Sequence, residues 1–225
     1  MLARIGATVG LIQRGDARET LNELEDLGAR CAQARVDLSE GDYGVAALGE
    51  LIEHLGGLDA LVCNAGAIDR RPAIDVDIED FRRIVDVGLI SVFAQAQAAA
   101  RRFIANDTAG TIVLVSSVLA FQGGIGVPAY AASKGAIANL TRSLANEWAA
   151  DGIRVNAVAP GYIANDQTAP LRGDPVRYRQ ITERIPAGRW GTNEDVASAI
   201  CALTVPALAY VNGHTLVVDG GYLGR

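Results

Sequence analysis

The chain has 225 residues, which is enough for one α/β domain with a full hydrophobic core. Half of its residues are hydrophobic, a composition that excludes a disordered chain. Its net charge of −6, without any long block of Lys and Arg, argues against nucleic acid as a main partner.

Short apolar strands alternate with helices from one end of the chain to the other. The predicted strands cover residues 8–12, 31–36, 58–63, 111–115, 153–159 and 215–218. Between them, the predicted helices begin after Asp16 and cover 43–55, 77–105, 128–150 and a segment that starts near 193. At the first of these helices, Asp16 and Glu19 have the spacing of a capping pair, and Gly28 marks the end.

The strands predict the fold class. The run Thr111-Ile112-Val113-Leu114-Val115 is apolar at every position, so both faces of this strand are expected to be buried. Strands of this kind in alternation with helices are typical of a doubly wound parallel sheet in three αβα layers, a Rossmann-like fold. With no linker or repeat in the sequence, we expect residues 1–225 to form a single domain.

Residues 161–190 form a polar, irregular stretch that is too long for a simple connecting loop. We therefore expect a substrate-binding insertion or lid there. Trp190, at its end, either lines the substrate pocket or anchors the segment to the core, and we favour the anchor.

Tyr130 and Lys134 stand four residues apart at the start of a helix, so their side chains share one face. A lysine ammonium beside the phenol favours the phenolate, which lowers the tyrosine pKa from about 10 and makes Tyr130 a usable acid and base. Ser117, with Ser116 as the neighbouring candidate, follows the strand that ends at Val115, at the edge where such sheets bind ligands, and can polarise a substrate carbonyl. These three residues predict proton transfer coupled to hydride transfer.

With these pieces in place, the chain resembles the short-chain dehydrogenase/reductase family over nearly its whole length. Beside Ser117, Tyr130 and Lys134, the resemblance rests on Asn64-Ala65-Gly66, on residues 156–161 and on Val218-Asp219-Gly220-Gly221. Three further stretches, 121–124, 146–149 and 184–191, are most similar to its sugar-acid members of the 2-deoxy-D-gluconate 3-dehydrogenase and 2-dehydro-3-deoxy-D-gluconate 5-dehydrogenase type.

The resemblance implies a role for each matching residue. Ser117 would orient the substrate with Gln122 nearby, Tyr130 would be the acid and base, and Lys134 would tune Tyr130 and hold the nicotinamide ribose. The cofactor, NAD or NADP, would contact the following residues: Arg14, Asp37, Asn64, Ala65, Gly66, Tyr130, Lys134, Pro160, Gly161 and Ile163.

The sequence departs from the family at its start. Residues 1–7 resemble the tail of the helix that follows the family's first strand and glycine-rich turn, and neither that strand nor that turn is present. In the family this turn grips the pyrophosphate, so we expect an N-terminally incomplete domain that lacks this part of the cofactor site and has no central strand between residues 8–12 and 58–63. The chain could be a fragment of a longer protein.

The second departure is Gly88, which stands where the family has a catalytic asparagine. Glycine has no amide to support the proton-relay water, although a local water and the backbone could still suffice. The leading hypothesis is an NAD(P)-dependent alcohol–ketone oxidoreductase acting on a small substrate such as a sugar acid. The alternative is a catalytically silent relative that serves as a binding or assembly subunit.

Cofactor choice stays open at the sequence level. Gln13 and Arg14 follow the first strand, where an acidic residue would favour NAD. Arg14 could pair with the 2′-phosphate of NADP or simply be solvated.

The remaining features concern partners and location. The three cysteines have no metal-site spacing and predict reduced, mostly buried thiols, and no metal is expected. Without a signal peptide or a long apolar stretch, we expect a cytoplasmic protein with no membrane partner. The small side chains at 94–100 predict a homo-oligomer, a dimer or tetramer, with internal packing as the other explanation.

Overall fold

The structure, a computed structural model, describes residues 1–225 and contains six β-strands and nine α-helices. The strands are β1 (Val9–Gln13), β2 (Cys31–Arg35), β3 (Ala60–Cys63), β4 (Gly110–Val115), β5 (Ile153–Pro160) and β6 (Thr215–Val218). The helices are α1 (Arg18–Asp26), α2 (Val45–Leu55), α3 (Ile78–Val85), α4 (Ser91–Ala105), α5 (Leu119–Gln122), α6 (Pro128–Trp148), α7 (Ala169–Arg172), α8 (Pro175–Arg184) and α9 (Asn193–Thr204).

All strand pairs are parallel, as predicted, and they form two sheets. One sheet has the order β3-β4-β5-β6, and the other consists of β1 and β2. β1 pairs only with β2, and β3 pairs only with β4, so no strand lies between β1 and β3. This matches the gap expected from the sequence.

The alternation of side chains along β4 and β5 builds two separate cores. Ile112 and Leu114 point into a cluster shared with α4 and α6, whereas Val113 points to the opposite face and packs against Val158 and Leu203. The first face is covered by α2, α4 and α6, and the second by α9. The result is the predicted three-layer αβα arrangement.

Helix α2 joins the two sheets. It packs against β1, β2 and α4, and its Leu48 and Ile52 belong to the larger core cluster. Gly10 on β1 makes this approach possible, because a Cβ at that position would stand 3.1 Å from Leu55 Cδ1. β1 and β2 are therefore held to the rest of the molecule through a helix.

The predicted helix over 77–105 is interrupted. α3 and α4 are joined by one π-helical segment, Asp86–Ile90, in which the Ser91 amide donates to the Asp86 carbonyl five residues earlier. Gly88 lies in this segment and is buried. A π-turn inside a helix is often found at functional sites, and this one lies against α6.

Two local predictions were wrong. Ala17, not Asp16, is the N-cap of α1, and Asp16 accepts a hydrogen bond from the Arg18 amide instead of forming a capping pair with Glu19. The stretch 161–190 is also not irregular throughout, since it contains α7 and α8. The Asp174 carboxylate caps α8 by accepting from the amides of Val176 and Arg177.

The three cysteines are free thiols, as predicted. Only Cys63 is buried, whereas Cys31 and Cys201 are half-buried. None of the helices combines the length and the apolar character that crossing a membrane requires.

Candidate active site

A cavity of about 850 Å³ opens where β3, β4 and β5 end. Parallel strands bring their carboxyl ends to one edge, and this is where the sequence predicts the chemistry. The predicted residues that line this cavity are Asn64, Ala65, Gly66, Ser117, Tyr130, Lys134, Pro160, Gly161 and Ile163. They come from four distant stretches of the chain and meet in one place.

The two serines after β4 have different partners. Ser116 donates its hydroxyl to the Lys134 carbonyl at 2.8 Å and thereby ties the strand end to α6. The Ser117 hydroxyl accepts from the Leu119 amide at 3.2 Å and keeps its own proton to donate. Ser117 is therefore the serine whose hydroxyl is free to polarise a ligand in the cavity.

Lys134 is almost fully buried, and its ammonium donates to the Val115 carbonyl at 2.7 Å. No carboxylate pairs with it, and burial lowers the pKa of Lys134 to about 8, with a smaller opposing contribution from Cys63. Its Nζ lies 5.7 Å from the centre of the Tyr130 ring. An ammonium with a pKa near neutrality can hold or give up a proton under ordinary conditions.

Tyr130 differs from the sequence-based expectation. Burial raises the pKa of Tyr130 above its usual value of 10.0, and the opposing influences come from the Ser117 hydroxyl and the charge of Arg70. Lys134 is not among these influences, so the expected lowering by Lys134 is wrong for this state. The Lys134 ammonium donates to the Val115 carbonyl instead, and it makes no hydrogen bond to the Tyr130 hydroxyl.

Gly88 faces the helix that carries the tyrosine and the lysine. A Cβ on residue 88 would stand 2.9 Å from Ser133 Oγ, a separation that real Cβ atoms essentially never show. Ser133 is buried and donates its hydroxyl to the Tyr130 carbonyl at 2.8 Å. The space that a side chain at 88 would need is thus taken by Ser133.

The segment after β5 forms the opposite wall. Ile163 pairs with Gly191 in an isolated parallel bridge, and the Ala164 amide donates to the Gly191 carbonyl at 2.8 Å. Asn165 and Thr168 cap one another's backbone in a short 3₁₀ turn, and both line the cavity. This wall holds polar side chains that a hydroxyl-rich ligand can contact.

Trp190 anchors this segment, as favoured from the sequence. It is buried, and its Nε1 donates to Thr182 Oγ1 on α8 at 2.9 Å. Its ring stacks on Tyr178, with centres 5.7 Å apart, and meets the edge of Tyr162. Trp190 does not line the large cavity.

Three predicted site residues lie outside the lining of the cavity. Gln122 is exposed at the end of α5. Arg14 and Asp37 stand beyond the ends of β1 and β2, where Arg14 Nη1 is 3.6 Å from Asp37 Oδ2. Hydrogen bonds from Ser39, and secondarily Arg14, lower the pKa of Asp37. Arg14 is largely exposed, so its guanidinium is free to turn towards a phosphate.

Sequence reasoning missed several residues of the site. Ile68, Asn165 and Thr168 line the cavity, and the charge of Arg70 acts on Tyr130. The pair Arg70-Arg71 soon after the Asn-Ala-Gly turn is the signal that could have pointed to this loop.

The residues fit the nicotinamide end of a dinucleotide. A lysine ammonium has three N–H donors, and Val115 takes one, which leaves two for ribose hydroxyls. Gly66 leaves the space beside Lys134 open to a ligand, because a Cβ there would lie in van der Waals contact with Nζ, at 3.7 Å. Of the residues predicted to bind the cofactor, those near its nicotinamide line one continuous cavity.

Comparison with known proteins agrees with this site. Residues 1–223 match the family model described as enoyl-(acyl carrier protein) reductase, which represents short-chain dehydrogenases/reductases. The chain is 42% identical, over 100% of its length and 88% of the relative's, to 2-dehydro-3-deoxy-D-gluconate 5-dehydrogenase of Escherichia coli (strain K12). It is 44% identical, with the same two coverages, to the enzyme of that name from Bacillus subtilis (strain 168).

Solved structures give the same result. A gluconate 5-dehydrogenase from Burkholderia cenocepacia J2315, in complex with NADP and tartrate, superposes with a TM-score of 0.92 at 34% identity. The alignment covers 100% of this chain and 88% of that one.

Proposed function

Because the chain belongs to the short-chain dehydrogenase/reductase family, we propose that it transfers hydride between NAD(P) and a hydroxyl or ketone group of a sugar acid. The observation that carries this proposal is the meeting of Ser117, Tyr130 and Lys134 in one cavity. The relatives support an active oxidoreductase, and none of them favours the silent alternative.

Tyr130 is the acid and base in this proposal. In the oxidation direction its phenolate takes the proton of the substrate hydroxyl, and in reduction the phenol returns a proton to the carbonyl oxygen. Ser117 donates to the same oxygen and stabilises the charge that develops there. The nicotinamide, when bound, accepts or supplies the hydride.

Lys134 assists Tyr130 and holds the cofactor. Its ammonium is fixed by the Val115 carbonyl, and its other donors are available to ribose hydroxyls. With a pKa of about 8, Lys134 can exchange a proton near neutral pH and so take part in a proton relay that begins at Tyr130. Asn64, Ala65 and Gly66 are assigned to the adenosine-ribose side, and Pro160, Gly161 and Ile163 to the nicotinamide end.

Within the NAD(P) pair, NADP is the cofactor we favour. The solved gluconate 5-dehydrogenase that resembles this chain binds NADP, and Arg14 offers an exposed guanidinium just after β1. We assign Arg14 to the 2′-phosphate and Asp37 to the adenine side. Gln122 is assigned to the substrate side, at the mouth of the cavity.

We also propose a homo-oligomer, a dimer or tetramer, in the cytoplasm. Phe93 on α4 is 38% exposed, and Ile90, at the end of the π-helical segment just before α4, is 37% exposed. Three free thiols suit a reducing compartment. Ala96, Ala99 and Ala100, by contrast, pack inside the core, so only part of the small-residue run is available for an interface.

Steady-state turnover of D-gluconate and 2-dehydro-3-deoxy-D-gluconate with NAD⁺ and NADP⁺ tests the function. We expect turnover that falls by at least about 100-fold in Tyr130→Phe. Tyr210→Phe is the matched control, because Tyr210 is fully exposed. Equal activity of Tyr130→Phe and the unmodified protein would rule out this mechanism.

A further inference from the structure

Lys134 differs in chemistry from every other basic residue of the chain. Of the 20 Lys and Arg residues, it is the only lysine. An arginine guanidinium stays protonated under ordinary conditions, so it does not act as a nucleophile. Lys134 is only 3% exposed, and it lines the large cavity. The chain therefore holds a single side-chain amine, and that amine lies at the cavity rather than on the outer surface.

No anion compensates the charge of this amine. Its Nζ donates to the Val115 carbonyl at 2.7 Å and forms no ion pair with a carboxylate. Burial without an anion lowers the pKa of Lys134 from 10.5 to about 8, with a smaller opposing contribution from Cys63. At pH 7 about one molecule in ten then holds a neutral amine, compared with about one in 3,000 for an ordinary lysine. A neutral, desolvated lysine amine is a nucleophile that attacks carbonyl carbons.

Two hydroxyl groups that can donate a proton or a hydrogen bond line the same cavity. Tyr130 lies on the same helix face as the lysine, with Lys134 Nζ 5.7 Å from the centre of its ring, and burial raises the pKa of Tyr130, so the phenol keeps its proton. The Ser117 hydroxyl also keeps its proton to donate. A carbonyl oxygen needs such donors when an amine attacks its carbon. The cavity thus combines a nucleophilic amine with acids for the oxygen.

The space beside the amine is open at Gly66. A Cβ on residue 66 would meet only one atom within 4 Å, and that atom is Lys134 Nζ, at 3.7 Å. Gly66 and Lys134 both line the cavity. A small carbonyl compound in the cavity can therefore reach Nζ from this side, and a larger side chain at residue 66 would stand in its way.

We propose that Lys134 is an imine-forming site, which condenses reversibly with small aldehydes and 2-oxo acids that enter the cavity. The neutral amine adds to the carbonyl carbon, and the carbonyl oxygen takes up a proton to give a carbinolamine. This intermediate loses water, so both hydrogens of the amine leave with the oxygen and a C=N bond to Nζ remains. Nothing is oxidised or reduced, and NAD(P) takes no part, so this reaction is separate from the proposed hydride transfer.

Reductive trapping with glyoxylate tests the proposal. Cyanoborohydride reduces the imine of glyoxylate to a stable carboxymethyl-amine, and peptide mapping by mass spectrometry separates Lys134 from the amino terminus. The full chain and its Lys134→Arg, Gly66→Val and Gly49→Val variants are compared at pH 7, with Nα-acetyl-lysine in the same solution as the reference amine. Gly49→Val is the matched control for Gly66→Val, because Gly49 is exposed on α2 and a Cβ there would meet nothing within 4 Å.

We expect Lys134 to be carboxymethylated at least about 10-fold faster than the reference amine, because a larger share of it is neutral at pH 7. Residue 134 should carry no label in Lys134→Arg. Gly66→Val should slow the labelling of Lys134 by about 10-fold or more, since the added side chain covers Nζ, and Gly49→Val should leave it unchanged. Labelling of Lys134 no faster than that of the reference amine overturns the proposal. Labelling that is equally fast in Gly66→Val also overturns it, since the amine would then react through opening of the fold and not from the cavity.

NADPH in the trapping reaction separates this proposal from the proposed function. If the ribose of the cofactor bonds to Lys134, saturating NADPH should block the labelling, and imine formation and cofactor binding exclude one another. Labelling that persists with NADPH still supports the imine site and removes only the assigned ribose contact. A protein that shows no turnover with any sugar acid, yet is labelled at Lys134 as expected, likewise keeps the imine site while the proposed function fails.

Discussion

Gly88 and Ser133 occupy the same small volume between the π-helical segment and α6. A Cβ on residue 88 would stand 2.9 Å from Ser133 Oγ and 3.3 Å from Ser133 Cβ. The Ser133 hydroxyl in turn bonds to the carbonyl of Tyr130. Gly88 therefore does more than remove a side-chain amide, because it leaves room for a serine that holds the backbone of Tyr130, the proposed acid and base.

We expect Gly88→Ala to destabilise the protein by about 1–2 kcal/mol, despite the better helix propensity of alanine. The added methyl group forces Ser133 out of its rotamer and breaks its bond to Tyr130. In a Ser133→Ala background the same change should be close to neutral, because the nearer obstacle, Ser133 Oγ, is gone and the propensity of alanine offsets the remaining tight contact with the Cβ of residue 133. Urea denaturation of the four proteins gives a double-mutant cycle with a coupling of about 1 kcal/mol or more.

Measurements of kcat and KM on the same four proteins separate an effect on packing from an effect on the reaction. Ser133→Ala alone should lower kcat several-fold, since Tyr130 loses a positioning contact, with KM for the substrate nearly unchanged. Additive free energies in the cycle would show that residues 88 and 133 do not interact, contrary to this geometry.

We expect Lys134 to lower the stability of the fold while it serves the proposed active site. Burial lowers the pKa of Lys134 from 10.5 to about 8, and a gap of this size corresponds to about 3 kcal/mol. Lys134→Met removes the buried charge and also the bond to Val115, which offsets part of the gain. We therefore expect Lys134→Met to be inactive and about 1–2 kcal/mol more stable at pH 7.

The effect of Lys134 on the stability of the protein depends on pH in a definite direction. Between about pH 8 and pH 10.5 the unfolded lysine is protonated and the folded one is not, so the unfolded state binds more protons and the unmodified protein gains stability as pH rises. Below pH 8 the free-energy penalty for burying the charged Lys134 ammonium is constant. The advantage of Lys134→Met should thus shrink across this window in thermal melts, and an advantage that does not change with pH would contradict the buried ammonium.

Arg14 should decide the choice between NADP and NAD. Its contact with Asp37 is long, and its side chain is 81% exposed, so little binds it in place. We expect Arg14→Gln to raise KM for NADP⁺ by about 10- to 100-fold and to leave KM for NAD⁺ unchanged. Arg18→Gln is the matched control, because Arg18 is equally exposed and pairs at 3.7 Å with Asp16. A parallel loss for both cofactors would exclude a contact with the 2′-phosphate.

The strands were predictable because burial on both faces leaves an uninterrupted apolar signal. Ile112, Val113 and Leu114 face different cores, yet all three must be apolar, and β4 was located to within one residue. The site residues that follow the strand ends were also predictable, once the strands themselves had been located. Their convergence depends only on the parallel order of the strands.

Features that depend on partners distant in sequence were not predictable. The sequence does not say which of Arg70 and Arg71 is paired, since that is decided by Asp80 on α3 and by the approach of Gly126. The π-helical segment likewise depends on packing against α6. Helix α8 could have been found, because Asp174 followed by Pro175 is a helix-start signal, but its polar composition hid it.

Trp190 should control the wall of the cavity through α8. It joins Tyr178 and Thr182 of that helix to Tyr162, which follows the cofactor-side Gly161. Trp190→Ala removes all three contacts, and a fully packed tryptophan is worth about 3–5 kcal/mol. Because Ile181 is the only buried residue of α8 and shares a small cluster with Trp190, we expect much of this loss to appear as local opening, with new trypsin cleavage sites in the segment 172–184 and a raised KM for substrate.

Thr182→Val is the control that separates the hydrogen bond from the packing. It keeps the shape of the side chain and removes the hydroxyl, which accepts from Trp190 Nε1 and donates to the Tyr178 carbonyl at 2.7 Å, so it should cost about 1 kcal/mol and leave the cleavage pattern nearly unchanged. If Trp190→Ala lowered the melting temperature without new cleavage in this segment, α8 would be held by the core and not by the tryptophan. The rise in KM would then need a different cause, since the wall formed by Asn165 and Thr168 would still be in place.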